Sequence, residues 1–289
     1  MKKILVPVDF SSHTHLTCEY ALSLLRNTGG EIRLFNAYID QVILTENSYP
    51  EAIDVAAHVN EELMKEIIFQ AKTGLHDLQH HLEQQIAEQQ SRIIVTKFLA
   101  GGTIRDEVRS VCHEFQPDAV VMGSRGKGGK LSTWGNVSSY IIQHARIPVL
   151  TVPPIEGFMG FKNIMFAADL TEWNTASLKV VRDWFSPFGA RIHCVHFLIH
   201  GNHKEEEEKM QQLQSAFFME KQSGEMTFSM IEVDDDNQKA IDHFVEEHAI
   251  QLIAFQPYQR NFLYRTFTRN ITQWHLFATN IPLLAVPVG

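Results

Sequence analysis

The chain has 289 residues, which is enough for two domains of ordinary size. Hydrophobic residues make up 44% of it and charged residues 20%, which is typical of a globular protein and excludes a disordered or fibrous one. The formal net charge of -9 argues against a general nucleic-acid-binding protein, because phosphate backbones are bound mainly by Lys and Arg. No apolar run approaches the ~18 residues of a membrane span, and the first ten residues do not match a signal peptide, so we expect a cytoplasmic protein.

Cysteine usage and the distribution of charge narrow the function classes further. Cys18, Cys112 and Cys194 lie far apart, are odd in number and form no C-x-x-C pair. We therefore predict buried apolar side chains rather than a disulfide framework or a zinc site. Both halves of the chain, divided at Ile155, carry an excess of acidic residues, so any site for an anion must be local.

A duplication organises the chain. The segments "KKILVPVDFSS" and "KNIMFAADLTE" each predict a short apolar strand, then an aspartate (Asp9, Asp169) and a hydroxyl residue (Ser11, Thr171) expected to cap the next helix. Both halves also end alike, with "IPVLTVP" and "IPLLAVP". The sequence therefore predicts one unit that occurs twice.

The duplicated unit predicts two tandem domains, at residues 1–154 and 160–289, joined by the linker "PIEGFMGF". In the first domain, short runs rich in β-branched residues predict strands at Ile4–Val8, Ile32–Ala37, Ile93–Phe98, Ala119–Met122 and Val149–Val152. Apolar residues spaced by three and four predict two intervening helices, carrying Leu16, Tyr20 and Leu24, and Ile68, Ala71, Leu75, Leu78 and Leu82. This alternation predicts the α/β class, an open parallel sheet with helices on both faces.

A glycine-rich stretch, "VMGSRGKGGKLSTWGNVSS", follows the fourth predicted strand. A helix is predicted to begin near Asn136, and its free N-terminal amides and dipole attract anions. Glycines let the backbone approach such an anion closely, and three basic side chains add positive charge. With Asp9 able to accept hydrogen bonds from a ribose, and Met122 and Ala37 able to flank a base, the combination predicts a nucleotide pocket.

A solvated turn is the alternative interpretation of the same stretch. Loops rich in Gly and Lys are common between strands and helices, and the Walker pattern G-x-x-x-x-G-K-[ST] is absent. The position of the loop favours the pocket, because Asp9, Met122 and the loop all follow strand ends at one edge of the predicted sheet.

Four motifs together, "ILVPVDFS", "MGSRGKGG", "GNVSS" and "IPVLTVP", resemble the universal stress protein family, and the resemblance extends over nearly the whole chain as two tandem copies. It implies for each copy an open five-stranded parallel sheet of strand order 3-2-1-4-5, in the Rossmann-like, adenine nucleotide alpha hydrolase-like class. In relatives with a single copy, the fifth strands pair across a dimer. The resemblance therefore implies that the "IPVL" and "IPLL" strands lie side by side, antiparallel, in an intramolecular pseudo-dimer, with a homodimer as a further possibility.

The ATP-binding branch of this family has G-x-x-G, nine residues, then Gly and Ser or Thr around the phosphates. Carried over, Gly123 and Gly126 match the first pair, Gly135 the third glycine and Asn136 the hydroxyl position. The spacer here has eight residues, and asparagine still donates a hydrogen bond. The implied ligand is ATP, with Mg²⁺, and the implied binding residues are Pro7, Val8, Asp9, Ala37, Met122, Gly123, Arg125, Gly126, Gly135, Asn136, Val137 and Ser138.

The equivalent stretch of the second domain, "FQPYQRNFLYRTFTRNITQW", lacks the glycines. Gln256, Gln259 and Arg269 stand where glycines are expected, and Pro257 removes a backbone amide. Each replacement brings a side chain into the space that phosphates need. We expect the second domain to have lost the ATP site although Asp169 is retained.

The sequence leaves three functional hypotheses. The first is a non-enzymatic stress-response protein in which ATP, bound to the first domain, shifts a population of conformers or partner complexes. The second is an interaction module whose duplicated fold serves as a scaffold for partners. The third is slow ATP hydrolysis, for which the sequence offers no general base or metal-holding carboxylate pair near the loop. No metal site, nucleic acid or membrane partner is predicted, and no protein partner is identified.

Overall fold

The computed structural model describes residues 1–38, 50–124, 136–172, 174–199, 203–218, 225–233, 237–257 and 279–287; at 50–60, 136, 199, 218, 233 and 237 it describes the backbone alone. The chain forms two compact units, Met1–Asp118 and Ala119–Gly289. Since these bounds differ from those of the duplication, "first repeat" denotes residues 1–154 and "second repeat" residues 160–289 below. Within the described ranges, no helix is both long and apolar enough to cross a membrane.

In its described residues, the first unit has three parallel strands and three helices. Its elements in chain order are β1 (Lys3–Pro7), α1 (Thr14–Leu25), β2 (Gly30–Tyr38), α2 (Pro50–Glu88), β3 (Ile93–Gly101) and α3 (Ile104–Phe115). The strand order is β3-β2-β1, and Ile32 lies opposite Ile4 on one side and Val95 on the other. Right-handed crossovers from β1 to β2 and from β2 to β3 place α1 and α2 on the same face.

Seven strands are described in the second unit. Its elements are β4 (Ala119–Gly123), α4 (Asn136–His144), β5 (Val149–Val152), β6 (Asn163–Ala167), α5 (Asn174–Phe185), the 3-10 turn Ser186–Phe188, β7 (Arg191–Ile199), α6 (Lys204–Phe218), β8 (Met226–Val233), α7 (Asn237–Glu247), β9 (Leu252–Phe255) and β10 (Leu283–Ala285). The strands lie in one sheet of order β4-β5-β10-β9-β6-β7-β8. All neighbours in it are parallel except β5 and β10.

The predicted division into two separate five-stranded sheets is not confirmed. Strands β4 and β5 come from the first repeat and the other five from the second, yet all seven belong to one continuous sheet. The junction is the antiparallel pair β5–β10, in which Leu284 lies opposite Leu150 and the Thr151 hydroxyl donates to the Leu283 carbonyl at 3.2 Å. The side-by-side antiparallel placement of the "IPVL" and "IPLL" strands is therefore confirmed, and this pairing is the reason that the sheet continues.

The core follows from strands that are apolar on both faces. Every residue of β4 except Gly123, and every residue of β5, β9 and β10, is buried. A parallel sheet covered by helices buries both faces of its strands, which is why these segments are continuous apolar runs rather than alternating ones. The predicted strands of the first repeat are confirmed to within a few residues.

Where its side chains are described, from residue 61 onward, helix α2 packs through its C-terminal part. Ala71, Leu75, Leu78 and Leu82 are buried as their spacing predicts, whereas Phe69 is 61% exposed. On α6, the predicted inner positions are also buried, at Met210, Leu213 and Phe217. The hydrophobic effect thus selects the faces that the periodicity indicated.

The predicted helix caps were wrong. The Ser11 side chain does not cap α1, since the helix begins at Thr14, whose amide donates to the Ser11 carbonyl at 3.1 Å. The Thr171 hydroxyl donates to Asp169 Oδ1 at 2.9 Å instead of accepting from the amides of α5. In both repeats, the aspartate two residues earlier accepts a hydrogen bond from the predicted capping residue, from the backbone amide of Ser11 and from the amide and hydroxyl of Thr171.

Candidate functional site

Asp9 directly follows the buried end of β1. Its Oδ1 accepts hydrogen bonds from the Ser11 amide at 3.1 Å and from the Thr14 hydroxyl at 3.4 Å. Phe10, the residue between Asp9 and Ser11, has a φ of 54°, which turns the chain sharply after the strand. Pro7 and Val8 are buried and Asp9 is half-buried, so the carboxylate lies at the surface end of a rigid segment.

Asn36 supports this segment from the neighbouring strand. Its Nδ2 donates to the Val8 carbonyl at 2.8 Å, and the side chain is only 8% exposed. The next residue, Ala37, is half-buried near the end of β2. Sequence reasoning missed Asn36, although an amide within an otherwise apolar strand is a signal that could have identified it.

The end of β4 and the start of α4 are joined by a buried hydrogen bond. The Ser138 hydroxyl donates to the Ser124 carbonyl at 2.9 Å, and Ser138 and Ser124 are 1% and 3% exposed. The Ser124 amide in turn donates to the Val152 carbonyl at 2.8 Å. Because Ser138 is the third residue of α4, this bond places the N-terminus of the helix beside the carboxyl end of the strand.

The predicted binding residues fall into three groups. The first unit contains Pro7, Val8, Asp9 and Ala37, and the second contains Met122, Gly123, Val137 and Ser138; each unit brings its own members together at the carboxyl ends of its strands. Arg125, Gly126 and Gly135 lie outside the described residues, and Asn136 is described only as the first residue of α4.

Asp169 occupies the same place in the second repeat, and an asparagine side chain donates to its carboxylate. Its Oδ1 accepts from the Thr171 amide at 3.2 Å, the Thr171 hydroxyl at 2.9 Å and Asn174 Nδ2 at 2.7 Å. The residue after it, Leu170, has a φ of 55°, close to that of Phe10. The two repeats therefore share the turn and differ in the side chains that surround the carboxylate.

Asn174 connects Asp169 to the end of β9. Its Nδ2 also donates to Gln256 Oε1 at 3.1 Å, and its Oδ1 accepts from the Leu170 amide at 2.8 Å. Asn174 is fully buried and Gln256 is 5% exposed. The expected replacement of glycine by Gln256 is thus accompanied by a specific hydrogen-bond chain, which the sequence alone did not indicate.

His196 stands where Asn36 stands in the first repeat. Its Nδ1 donates to the Ala168 carbonyl at 2.8 Å, as Asn36 does to Val8. Burial lowers the pKa of His196 below its usual value, although the hydrogen bond to Ala168 and the carboxylates of Glu206 and Asp169 oppose the shift. A neutral imidazole therefore performs the same supporting role as an amide.

The cysteines and acidic residues of the described part offer little reactive chemistry. All three cysteines are free, and burial raises the pKa of Cys18 to about 12 and that of Cys112 to about 11. These thiols stay protonated at neutral pH and are poor nucleophiles. No group of three or more His, Cys, Asp or Glu side chains in the described ranges is arranged to hold a metal ion.

Comparison with protein families gives a match over the first half of the chain. The model of the universal stress protein family matches residues 1–153. Universal stress protein G of Shigella flexneri is 32% identical over 80 residues, which are 26% of this chain and 56% of the relative. The chain thus spans about half the length of the curated relatives it matches.

Solved structures resemble the chain over its whole length. A universal stress protein from Archaeoglobus fulgidus superposes with a TM-score of 0.66, covering 99% of this chain and 98% of that protein at 18% sequence identity, which shows a common fold. A universal stress protein family protein from Arabidopsis thaliana, solved with AMP bound, covers 54% of this chain and 94% of its own at 20% identity. Its TM-score is 0.35, and the bound AMP is a property of that protein.

Proposed function

Since this chain belongs to the universal stress protein family, we propose that it is a non-enzymatic stress-response protein of the cytoplasm that binds ATP, with Mg²⁺, or a related adenine nucleotide. The first repeat, residues 1–154, is the nucleotide-binding domain, and residues 160–289 form a second family domain without a nucleotide. Binding shifts the population of conformers or partner complexes to the extent that the nucleotide prefers one of them.

The observation that carries this proposal is the hydrogen bond from Ser138 to Ser124. It fixes the N-terminus of α4 beside the carboxyl end of β4, directly after Gly123 in the sheet. The first amides of a helix lack partners within the helix, and the helix dipole favours negative charge there. A phosphate group is the anion that such a helix start accommodates after a glycine-rich loop.

The remaining roles follow the family pattern. Phosphates are assigned to the backbone of Gly123, Gly126 and Gly135, with Arg125 adding positive charge and Asn136, Val137 and Ser138 forming the helix start. Asp9 is assigned to the ribose, because a carboxylate accepts hydrogen bonds from a pair of hydroxyls. The adenine is assigned to the apolar surroundings of Pro7, Val8, Ala37 and Met122.

The test is the identification of nucleotide that copurifies with the protein. The chain is purified without added ligand and denatured, and the released material is identified by chromatography; the procedure is repeated with Gly126→Arg. ATP or another adenine nucleotide in the wild type that is absent from the variant supports the proposal. No nucleotide, together with no thermal shift on addition of ATP and Mg²⁺, contradicts it and favours the interaction module.

The duplication supplies a matched pair of variants for the same site. Asp9→Asn is expected to weaken adenine-nucleotide binding, since it removes the charge that attracts the ribose hydroxyls, whereas Asp169→Asn is expected to leave the affinity unchanged. Calorimetric titration measures both. Equal losses in the two variants would contradict the assignment of the nucleotide to the first repeat.

A further inference from the structure

We infer that Asn174 and Gln256 determine the ligand specificity of the second repeat by occupying, with their own side chains, the space that would receive an adenine nucleoside. The two residues are called the 174–256 bridge below. The inference takes its ligand class, a nucleoside or nucleotide, from the proposed function, but it concerns a different repeat.

The bridge is built from buried groups that satisfy one another. Asn174 Nδ2 donates to both Asp169 Oδ1 and Gln256 Oε1, at 2.7 and 3.1 Å, while Asn174 Oδ1 accepts from the Leu170 amide at 2.8 Å. Asn174 is 0% exposed and Gln256 5% exposed. Inserting a ligand beside Asp169 would require breaking these bonds and leaving buried polar atoms without partners, which is strongly unfavourable.

The equivalent positions of the first repeat carry smaller side chains. Asp9 and Asp169 are both followed five residues later by a helix residue, which is Thr14 in one repeat and Asn174 in the other. Thr14 reaches Asp9 through a single 3.4 Å contact from its hydroxyl. The shorter threonine side chain cannot extend beyond the aspartate as Asn174 does.

The register of the sheet identifies the counterpart of Gln256. The Asp118 amide donates to the Lys3 carbonyl at 2.8 Å, and the Gln251 amide donates to the Asn163 carbonyl at 2.9 Å, so these two pairs correspond. Counting five residues onward from each gives Gly123 in the first repeat and Gln256 in the second. A position without a side chain has therefore become one whose amide fills the strand end.

A third replacement lies on the side assigned to the base. Ala37 near the end of β2 corresponds to Phe197 in β7. Glu31 is the first residue of β2 that pairs with β1, and Arg191 is the first residue of β7 that pairs with β6. Ala37 and Phe197 each lie six residues after these two positions. Phe197 is 1% exposed, whereas Ala37 is half-buried. The aromatic ring adds volume where the first repeat has a methyl group.

The test converts the bridge to the residues of the first repeat and counts bound ligand. Equilibrium dialysis with AMP is performed on the full-length wild type, on Asn174→Thr/Gln256→Gly, and on a triple variant that also carries Phe197→Ala. We expect at most one equivalent of AMP per wild-type chain, and one further equivalent at saturation in the double variant, the triple variant or both. Circular dichroism and thermal melting establish that each variant is folded.

A volume control separates the contribution of side-chain size from that of the hydrogen bonds. Asn174→Thr/Gln256→Leu lacks the amide groups of the bridge but retains a side chain of similar volume at position 256. This variant is therefore expected to bind no more AMP than the wild type. A further equivalent in this control would overturn the role given to the Gln256 side chain.

The outcomes distinguish this inference from the proposed function. No AMP on the wild type together with one equivalent on a reopened variant supports the bridge, whereas the proposed function is decided separately by the copurification and thermal-shift test with ATP and Mg²⁺. More than one equivalent on the wild type overturns the bridge whether or not the variants fold. Folded double and triple variants that bind no more than the wild type overturn it as well.

Discussion

Asp9 and Asp169 each follow the first strand of their repeat and precede nearly the same backbone turn, yet their surroundings differ. Asp9 Oδ1 accepts from the Ser11 amide and, at 3.4 Å, from the Thr14 hydroxyl, whereas Asp169 Oδ1 accepts at 2.7 Å from the side chain of the buried Asn174. The backbone was thus retained by both copies while the side chains diverged. Two strand ends with nearly the same backbone turn can therefore carry carboxylates with different hydrogen-bond partners.

A second pair of equivalent positions shows the same divergence at the opposite ends of the strands. In the first repeat, the Arg33 guanidinium lies 4.1 Å from the centre of the Phe115 ring. In the second repeat, the corresponding residues are His193 and His248, whose ring centres are 4.8 Å apart. Arg33, whose side chain is always charged, thus corresponds to His193, whose charge depends on pH.

The largest expected effect compares how much one buried strand residue of each repeat contributes to the free energy of unfolding. Phe166 in β6 is fully buried, and the equivalent residue in β1 is the smaller Val6, also fully buried. We expect Phe166→Ala to lower the free energy of unfolding by about 3–5 kcal/mol, because it removes a ring and leaves a cavity. Val6→Ala is expected to cost less, since fewer atoms are lost. Urea unfolding measures both, and equal losses would contradict this account.

The next effect tests the hydrogen bonds around Asp169. Asn174→Ala removes the partner of the Leu170 amide and of two side chains, so we expect a loss of about 1–3 kcal/mol in the free energy of unfolding. At the equivalent position, Thr14→Ala removes a single long contact and should cost less than about 1 kcal/mol. Thermal and urea unfolding compare the two variants. A larger loss for Thr14→Ala would reverse the comparison of the two aspartates.

We expect the protein to become less stable as the pH is lowered, because of His193. Burial lowers the pKa of His193 to about 4, helped by His248 and Arg191 and opposed by Glu225. Because the pKa is about 6.5 in the unfolded chain, stability is fully present above pH 6.5 and declines as the pH falls toward 4. We expect a loss of about 1–2 kcal/mol, reduced from the full pKa difference by solvent screening.

The control for this pH dependence is a variant series at two histidines. His193→Gln is expected to flatten the decline in unfolding free energy between pH 6.5 and 4, as measured by urea unfolding at each pH. His243→Gln changes a side chain that is 79% exposed and should leave the curve as in the wild type. An unchanged curve for His193→Gln would assign the acid sensitivity to other groups.

The smallest effect concerns the corresponding pair of the first repeat. Arg33→Gln removes the cation–π contact with Phe115 and two ion pairs longer than 3 Å, with Glu31 and Glu114. We expect a loss of about 0.5–1 kcal/mol that is the same at pH 5 and pH 8, because the guanidinium remains charged throughout. Urea unfolding at the two pH values measures it. A clear change between them would remove the contrast with His193.

Much of the fold could be predicted from residue patterns. Apolar runs gave β1 to β5 to within a few residues, and the spacing of Leu75, Leu78 and Leu82 gave the buried face of α2. The helix caps could not be predicted from Ser11 and Thr171, although both are common capping residues. Helix α1 begins three residues after Ser11, at Thr14, and the Thr171 hydroxyl donates to a nearby carboxylate, that of Asp169. Local pattern determines the element, and neighbouring side chains determine its ends.

For the candidate site, the sequence indicated the residue types but not their partners. The glycines, Asp9 and Gln256 were identified as the positions where the repeats agree or differ. The bond between Asn174 and Gln256 joins residues 82 positions apart, and that between Ser138 and Ser124 joins residues 14 apart across the loop. Spacing along the chain contains no information about such pairs until the sheet has set which strand ends are adjacent.

The sequence by itself determined the α/β class, because hydrophobic runs and their spacing indicate strands and helices, and its recurring motifs predicted a duplication. The antiparallel contact of the two final strands was implied by the resemblance to the universal stress protein family, and the structure confirms it. Only the tertiary structure decided that the strands of both repeats continue in one sheet and that Asn174 joins Asp169 to Gln256 through hydrogen bonds. The physical reason is that burial of apolar surface is largely set by local composition, whereas a hydrogen bond requires two specific atoms within about 3 Å, a condition that only the folded chain fulfils.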